Sequence, residues 1–296
     1  MRVIVVGLGI QGKKRASIAQ NDLIATVDPI SPSANYKQIQ DVPVESYDAV
    51  LLCTPDEVKE ELIEYCLSHD KHVLVEKPLL VNAQKTTKFS SLSSNAICYT
   101  AYNHRFEPHF MKMKELLDSG DLGKIYSCRM FYGNGTARDV RNSPWRDKGT
   151  GVIKDLGSHL LDTVLFWFND TSRVFTELTT HCFENNAPDH AIFHSEGSPY
   201  IQLEMTLLSW RNHFTCDIFA EHGSAHIESL CKWGPSQFIL RKRALPSGRP
   251  TEQVITLVQP DPTWELEYEH FKELCKKGMS NISNDVWITK NLREIS

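Results

Sequence analysis

From residue 1 to about 102, short apolar runs alternate with amphipathic stretches, a pattern that predicts βαβ units around a parallel sheet. Strands are expected at 3–6, 23–27, 49–53, 72–76 and 97–101, with helices at 10–20, 57–68 and 82–92. The run Ala49-Val50-Leu51-Leu52-Cys53 is apolar throughout, which suits a strand covered on both faces. After Arg105 the period changes: a helix over 108–119 ends at Gly120, and a long strand over 124–132 follows. Ile201, Leu203, Met205 and Leu207 then alternate with Gln202, Glu204 and Thr206, as do Phe214, Cys216 and Ile218 with Thr215 and Asp217. With further strands near 173–184, 224–229 and 253–258, this predicts a mainly antiparallel open sheet flanked by helices. The fold class is α/β, with a doubly wound parallel sheet in residues 1–103 and a second α/β domain in residues 104–296.

Composition narrows the class without changing that picture. A length of 296 residues suits two domains, and 41% hydrophobic with 23% charged residues is ordinary for a folded globular chain. The net charge of −5 argues against a nucleic-acid partner. The run Arg241-Lys242-Arg243 precedes a Leu245-Pro246-Ser247-Gly248 turn and reads as a solvated hairpin end. Eight cysteines without a CxxC pair read as reduced thiols, which points to the cytoplasm. Residues 2–6 read as the first strand rather than a secretory signal, and no apolar run suits a bilayer span, so no membrane partner is expected.

Gly7-Leu8-Gly9-Ile10-Gln11-Gly12 follows the first strand and opens a helix, the context in which a GxGxxG motif marks a Rossmann nucleotide site. The first glycine permits the turn, the second lets a pyrophosphate approach the backbone, and the third lets helix and strand pack closely. Free N–H groups at the helix start attract phosphate. Asp28, 21 residues beyond Gly7, ends the second strand, where a carboxylate would accept from the ribose hydroxyls and repel a 2′-phosphate. Pro29 and Ile30 follow it rather than an arginine, so NAD is the expected cofactor. Cys53-Thr54-Pro55 and Glu76-Lys77-Pro78 close the next two strands, at the edge where parallel sheets bind ligands.

With these pieces in order, the chain resembles the Gfo/Idh/MocA family, the glucose–fructose oxidoreductase and inositol dehydrogenase group. The resemblance rests on Gly7–Gly12, Thr54-Pro55, Glu76-Lys77-Pro78, Asn103-His104-Arg105-Phe106 and Trp145-Arg146. It continues through Gly149-Thr150-Gly151 and Asp155-Leu156-Gly157-Ser158-His159-Leu160-Leu161-Asp162. It implies hydride exchange between NAD and a secondary alcohol carbon of a sugar, nucleotide sugar or cyclitol. It also implies a cis Lys77-Pro78 peptide and an open sheet used for oligomer contacts, hence a homodimer or homotetramer. The family's catalytic lysine, aspartate and histidine fall on Lys77, Asp155 and His159. The resemblance also takes in NAD-responsive regulators without catalysis and enzymes that cleave glycosides with NAD as a transient oxidant; the intact trio speaks against the first. Lys59 stands where the family often has histidine, Lys154 where an apolar residue usually precedes the aspartate, and the C-terminal segment is short.

The residue chemistry agrees with that assignment. Histidine titrates in the range useful for taking a hydroxyl proton. Asp155 and His159 are spaced i, i+4 and share one face if the helix over 160–168 extends back to them. His159 is read as the general acid/base, Lys77 as the partner of the alkoxide and cofactor, and Asp155 as the group that positions substrate. Asn103 is expected beside the nicotinamide. Arg105, Trp145 and Arg146 are candidates for substrate contact, Arg105 equally for an interdomain salt bridge. Tyr102 and Tyr126 are read chiefly as packing residues. Asp155, His159 and Asp162 lack a second, suitably spaced histidine, so no metal is expected.

Overall fold

A computed structural model describes residues 1–143 and 146–294, with only the backbone of Arg293 and Glu294. The chain divides into two compact units: residues 1–103 with 262–289, and residues 104–261 with the described residues from Lys290 onward.

The first unit begins with β1 (Val3–Val6), α1 (Ile10–Ala19), β2 (Leu23–Val27), β3 (Ala49–Leu52), α2 (Asp56–Ser68), β4 (His72–Glu76), α3 (Ala83–Leu92) and β5 (Cys98–Ala101). The five strands lie in the order β2-β1-β3-β4-β5, all parallel. Every residue of β1 and β3 is buried, as their uninterrupted apolar runs require. The helix starts follow local chemistry. Asp56 and Glu57 occupy the first turn of α2, where the helix dipole favours negative charge. The Asn82 side chain accepts from Lys85 N at 2.9 Å and caps α3. Between β2 and β3 there is no α-helix; the chain crosses through short 3₁₀ turns at Ile39–Asp41 and Val44–Ser46. That crossing takes the chain from β2 on one side of β1 to β3 on the other, so the sheet reverses order beside the glycine loop.

The second unit contains α4 (Pro108–Ser119), β6 (Ile125–Gly133), α5 (Ala137–Arg141), α6 (Ser158–Phe168), β7 (Thr176–His181), β8 (His190–Ser195), β9 (Tyr200–Thr206), β10 (His213–Ala220), β11 (Gly223–Glu228), β12 (Ser236–Lys242) and β13 (Thr251–Leu257). Its sheet runs β13-β12-β11-β10-β6-β9-β8-β7, antiparallel except where β6 meets β9. On β9, Ile201, Leu203 and Met205 are buried while Gln202 and Glu204 are not, the alternation seen in the sequence. The strand expected over 173–184 is confined to β7. A single π-helical turn, Ile153–Gly157, leads into α6.

The last helices are α7 (Thr263–Lys277) and α8 (Ile282–Glu294). The sequence reading placed everything beyond residue 103 in the second domain, whereas the structure groups Pro262–Thr289 with the first unit. The reason is the apolar stripe of α7: Tyr268, Phe271 and Leu274 are buried with Val3, Val5, Leu51, Leu74 and Tyr99. Asp285 of α8 adds buried polar contacts, accepting from Thr100 Oγ1 at 2.7 Å and Tyr102 Oη at 3.2 Å. Among the described residues no helix is long and apolar enough to cross a membrane.

Candidate active site

In the first unit the glycine loop closes against the ends of β1 and β3. Gly7 has φ +91°, and a Cβ there would stand 2.5 Å from the Cys53 carbonyl oxygen. At Gly12 a Cβ would lie 1.7 Å from the Gly7 carbonyl oxygen, so only glycine lets α1 pack this closely. Gly9 differs: beyond its chain neighbours, no atom of the described residues lies within 4 Å of where its Cβ would be. No side chain caps α1 and no acidic residue sits in its first turn, so its first amides are left for an anion. The Thr54 hydroxyl, buried at the carboxyl edge of β3, has no hydrogen-bond partner among the described residues. The open face of Gly9, the uncapped helix start and the orphaned hydroxyl all fit a bound dinucleotide.

Asp28 ends β2 and is already employed in shaping the loop. One oxygen accepts from Leu8 N at 2.7 Å, the other from Ile30 N at 2.8 Å and Ser31 N at 2.7 Å. Burial works against its charge, but these backbone donors and nearby Lys37 outweigh it and hold the carboxyl below its ordinary range.

The Glu76-Lys77-Pro78 segment is held from two sides. Arg15, buried on α1, donates from Nε to Glu76 Oε1 at 2.7 Å and from Nη2 to Glu267 Oε2 at 2.6 Å, with its guanidinium 4.3 Å from the Trp264 ring centre. Lys59, 4% exposed, donates from Nζ to the carbonyls of Glu76 at 2.7 Å and Pro78 at 3.0 Å and pairs with Asp56 at 2.7 Å. The lysine that departs from the family pattern thus ties down the backbone on both sides of Lys77, whose bond to Pro78 is cis. Lys59→Met would leave two carbonyls without their donor, and in urea unfolding it is expected to cost about 1–3 kcal/mol. An unchanged urea midpoint would show that Lys59 does not hold the segment. Asn103 donates to Thr263 Oγ1 at 2.7 Å.

In the second unit the π-turn sets the site. Gly151 (φ +47°) lies so close to Pro188 that a Cβ would stand 2.2 Å from its carbonyl oxygen, and Val152 N donates to that oxygen at 2.8 Å. Asp155 therefore sits in a wider turn than the α-helix the spacing predicts. It is half-buried, with Arg146 Nη2 3.8 Å from its carboxylate. His159, in the first turn of α6, is 7% exposed, and its ring stacks on His104 at 3.9 Å with 17° between the planes. The Tyr132 ring lies 5.4 Å from His104 and 6.1 Å from His159. Lys232 Nζ is 3.1 Å from His104 Nε2. His104, Tyr132 and Lys232 carry no role in the sequence reading, because nothing in local spacing links a residue to one 128 positions away.

Arg105 grips buried Asp162 with two bonds, Nε at 2.8 Å and Nη2 at 2.6 Å, inside the second unit. Burial pushes the Asp162 carboxyl up and Arg105 opposes it, so this aspartate is committed to an ion pair. Tyr102 is buried in the first unit, while Tyr126 is exposed on β6 rather than packed. Trp145 lies outside the described residues.

A dinucleotide cradle at the reversal point of a parallel sheet and a stacked histidine pair in a separate open-sheet unit define an NAD-binding two-domain Rossmann protein. Residues 1–103 match the family model "Oxidoreductase family, NAD-binding Rossmann fold", and residues 110–226 match "GFO/IDH/MocA C-terminal domain". The chain belongs to the Gfo/Idh/MocA family. It is 32% identical over 120 residues (39% of this chain, 34% of the relative) to myo-inositol 2-dehydrogenase of Thermotoga maritima. It is 29% identical over 126 residues (41% and 35%) to the NADP(+)-named scyllo-inositol 2-dehydrogenase of Bacillus subtilis. The match thus spans about a third of each curated relative's length. In fold it is similar to levoglucosan dehydrogenase solved with NADH, with TM-score 0.80, 15% identity, and 100% and 98% of the two chains covered.

Proposed function

We propose that this chain is a cytoplasmic NAD(H)-dependent dehydrogenase or reductase acting on a secondary alcohol or ketone carbon of a sugar, nucleotide sugar or cyclitol. The observation that carries the reading is the buried His159, stacked on His104 in the same unit as half-buried Asp155, in a chain whose other unit is an NAD-binding Rossmann domain. The inositol dehydrogenase names of its relatives support the substrate class. NAD supplies the hydride acceptor when bound. His159 takes the hydroxyl proton as the carbon is oxidised and returns it in the reverse direction. Lys77 supplies a positive charge for the developing alkoxide, and Asp155, with Arg146 beside it, accepts from substrate hydroxyls and so orients them.

The test is absorbance at 340 nm with purified protein, NAD and a panel of cyclitols, sugars and nucleotide sugars. Turnover with at least one of them is the expected result, and cofactor binding without turnover across the panel would overturn the reading. Asp28 makes a second, separable prediction. A 2′-phosphate placed against its carboxylate meets a like charge at a few ångströms, a repulsion of about 4 kcal/mol near a protein surface. NADH should therefore bind at least about tenfold more tightly than NADPH in fluorescence titrations. Equal affinities, with Lys37 answering the phosphate instead, would refute this.

A further inference from the structure

Lys232 lies in the turn Cys231–Trp233, between β11 and β12. Besides its 3.1 Å contact with His104 Nε2, its ammonium lies 4.8 Å from the Trp233 ring centre and 5.8 Å from that of Tyr132. The aromatic walls leave it half-buried. Burial pulls its pKa below the ordinary lysine range, and the negative charges of Asp261, Glu107 and Asp155 offset part of that fall. Glu107 is fixed there by Cys231, accepting from N at 2.6 Å and from Sγ at 3.0 Å.

An ammonium has three donors and no acceptor, so the 3.1 Å contact makes His104 Nε2 the acceptor and leaves the ring proton on Nδ1. A proton added to Nε2 would face the ammonium directly. His104 is thereby held neutral, and His159 stacks on that neutral ring 3.9 Å away. Tyr132 from β6 also packs near His159, and along the chain Asp155, with Arg146 beside it, precedes His159 by four residues while Asp162, paired with Arg105, follows it by three. A carboxylate such as Asp155 would favour a protonated His159, and a cation behind His104 opposes it.

We propose that Lys232 is a positioning residue for His159. It acts through His104, fixing that ring as the neutral Nδ1–H form and biasing the stacked His159 toward its proton-accepting form. The catalytic meaning of this bias rests on the function proposed above; the ring chemistry does not.

The experiment is NMR of the full chain with ring-labelled histidine, assigned with His104→Gln and His159→Gln. In the wild-type protein His104 should show a protonated Nδ1 and a bare Nε2; the opposite tautomer would overturn the proposal. Lys232→Met should raise the titration midpoint of His159 by about one pH unit, and Lys232→Arg should restore it. An unchanged midpoint in folded Lys232→Met would also overturn the proposal. If no polyol is turned over, the dehydrogenase reading fails while the ring titration still decides the role of Lys232. With an accepted substrate, the acidic limb of kcat/KM should move with the NMR midpoint in Lys232→Met. A limb that stays in place while the midpoint moves would deny the positioning role in catalysis. The tautomer measurement does not use Lys232→Met, so it stands even if that variant fails to fold.

Discussion

His159→Ala is expected to lower turnover by about 10²–10⁴-fold, the usual contribution of a general acid or base, with NADH affinity unchanged. The histidine belongs to the second unit, whereas the NAD-binding domain spans residues 1–103. Steady-state rates at 340 nm and NADH fluorescence titration separate the two quantities. His159→Gln, which fills more of the space beside His104, checks that the loss is one of proton transfer and not of packing. Lys77→Ala should lower turnover and weaken cofactor binding together, since Lys77 follows β4 at the edge of the nucleotide sheet. Full activity in His159→Ala with none in Lys77→Ala would move the proton-transfer role to the lysine.

The first sheet was legible because each of its strands is a short apolar run and each crossover helix has its own stripe and start signal. Asn82 before α3 is such a signal, and in the second unit Gly120 marks the end of α4, each readable one residue at a time. The assignment of α7 was not legible. An amphipathic stripe such as Tyr268, Phe271 and Leu274 states that a face must be covered, but it does not name the sheet that covers it. In the same way the i, i+4 spacing brought Asp155 and His159 into one candidate site but gave no sign of the π-turn between them. That turn begins two residues after Gly151, which docks on Pro188, a contact 37 positions along the chain (188 − 151). His104 was part of a recognisable motif without a role, and Lys232 had neither. Their meaning comes from a ring stack and a hydrogen bond made only when distant turns fold together. Asp28 was readable as a strand-end carboxylate, but of its three backbone donors only Leu8 belongs to the glycine motif; the other two follow from the turn at Ile30 and Ser31, which no motif encodes.

The glycines of the nucleotide loop allow binding and folding to be separated with two methyl groups. Gly12→Ala forces a Cβ to within 1.7 Å of the Gly7 carbonyl oxygen, a backbone atom that cannot swing aside. Helix α1 must then lift from β1 and β3, and the cost is expected to be at least about 1–3 kcal/mol in urea unfolding, with NADH binding lost as the loop distorts. Gly9→Ala is the opposite case. Its backbone is extended at φ −66°, which alanine adopts without strain, and its methyl would enter open space beside the uncapped start of α1. That space is where the pyrophosphate must approach the backbone. Gly9→Ala should therefore leave the urea midpoint at its wild-type value and weaken NADH by about tenfold or more, equivalent to about 1.4 kcal/mol. A Gly9→Ala protein that binds NADH as tightly as wild type would show that the dinucleotide does not lie across this loop, and the nucleotide site would have to be sought elsewhere in the first unit.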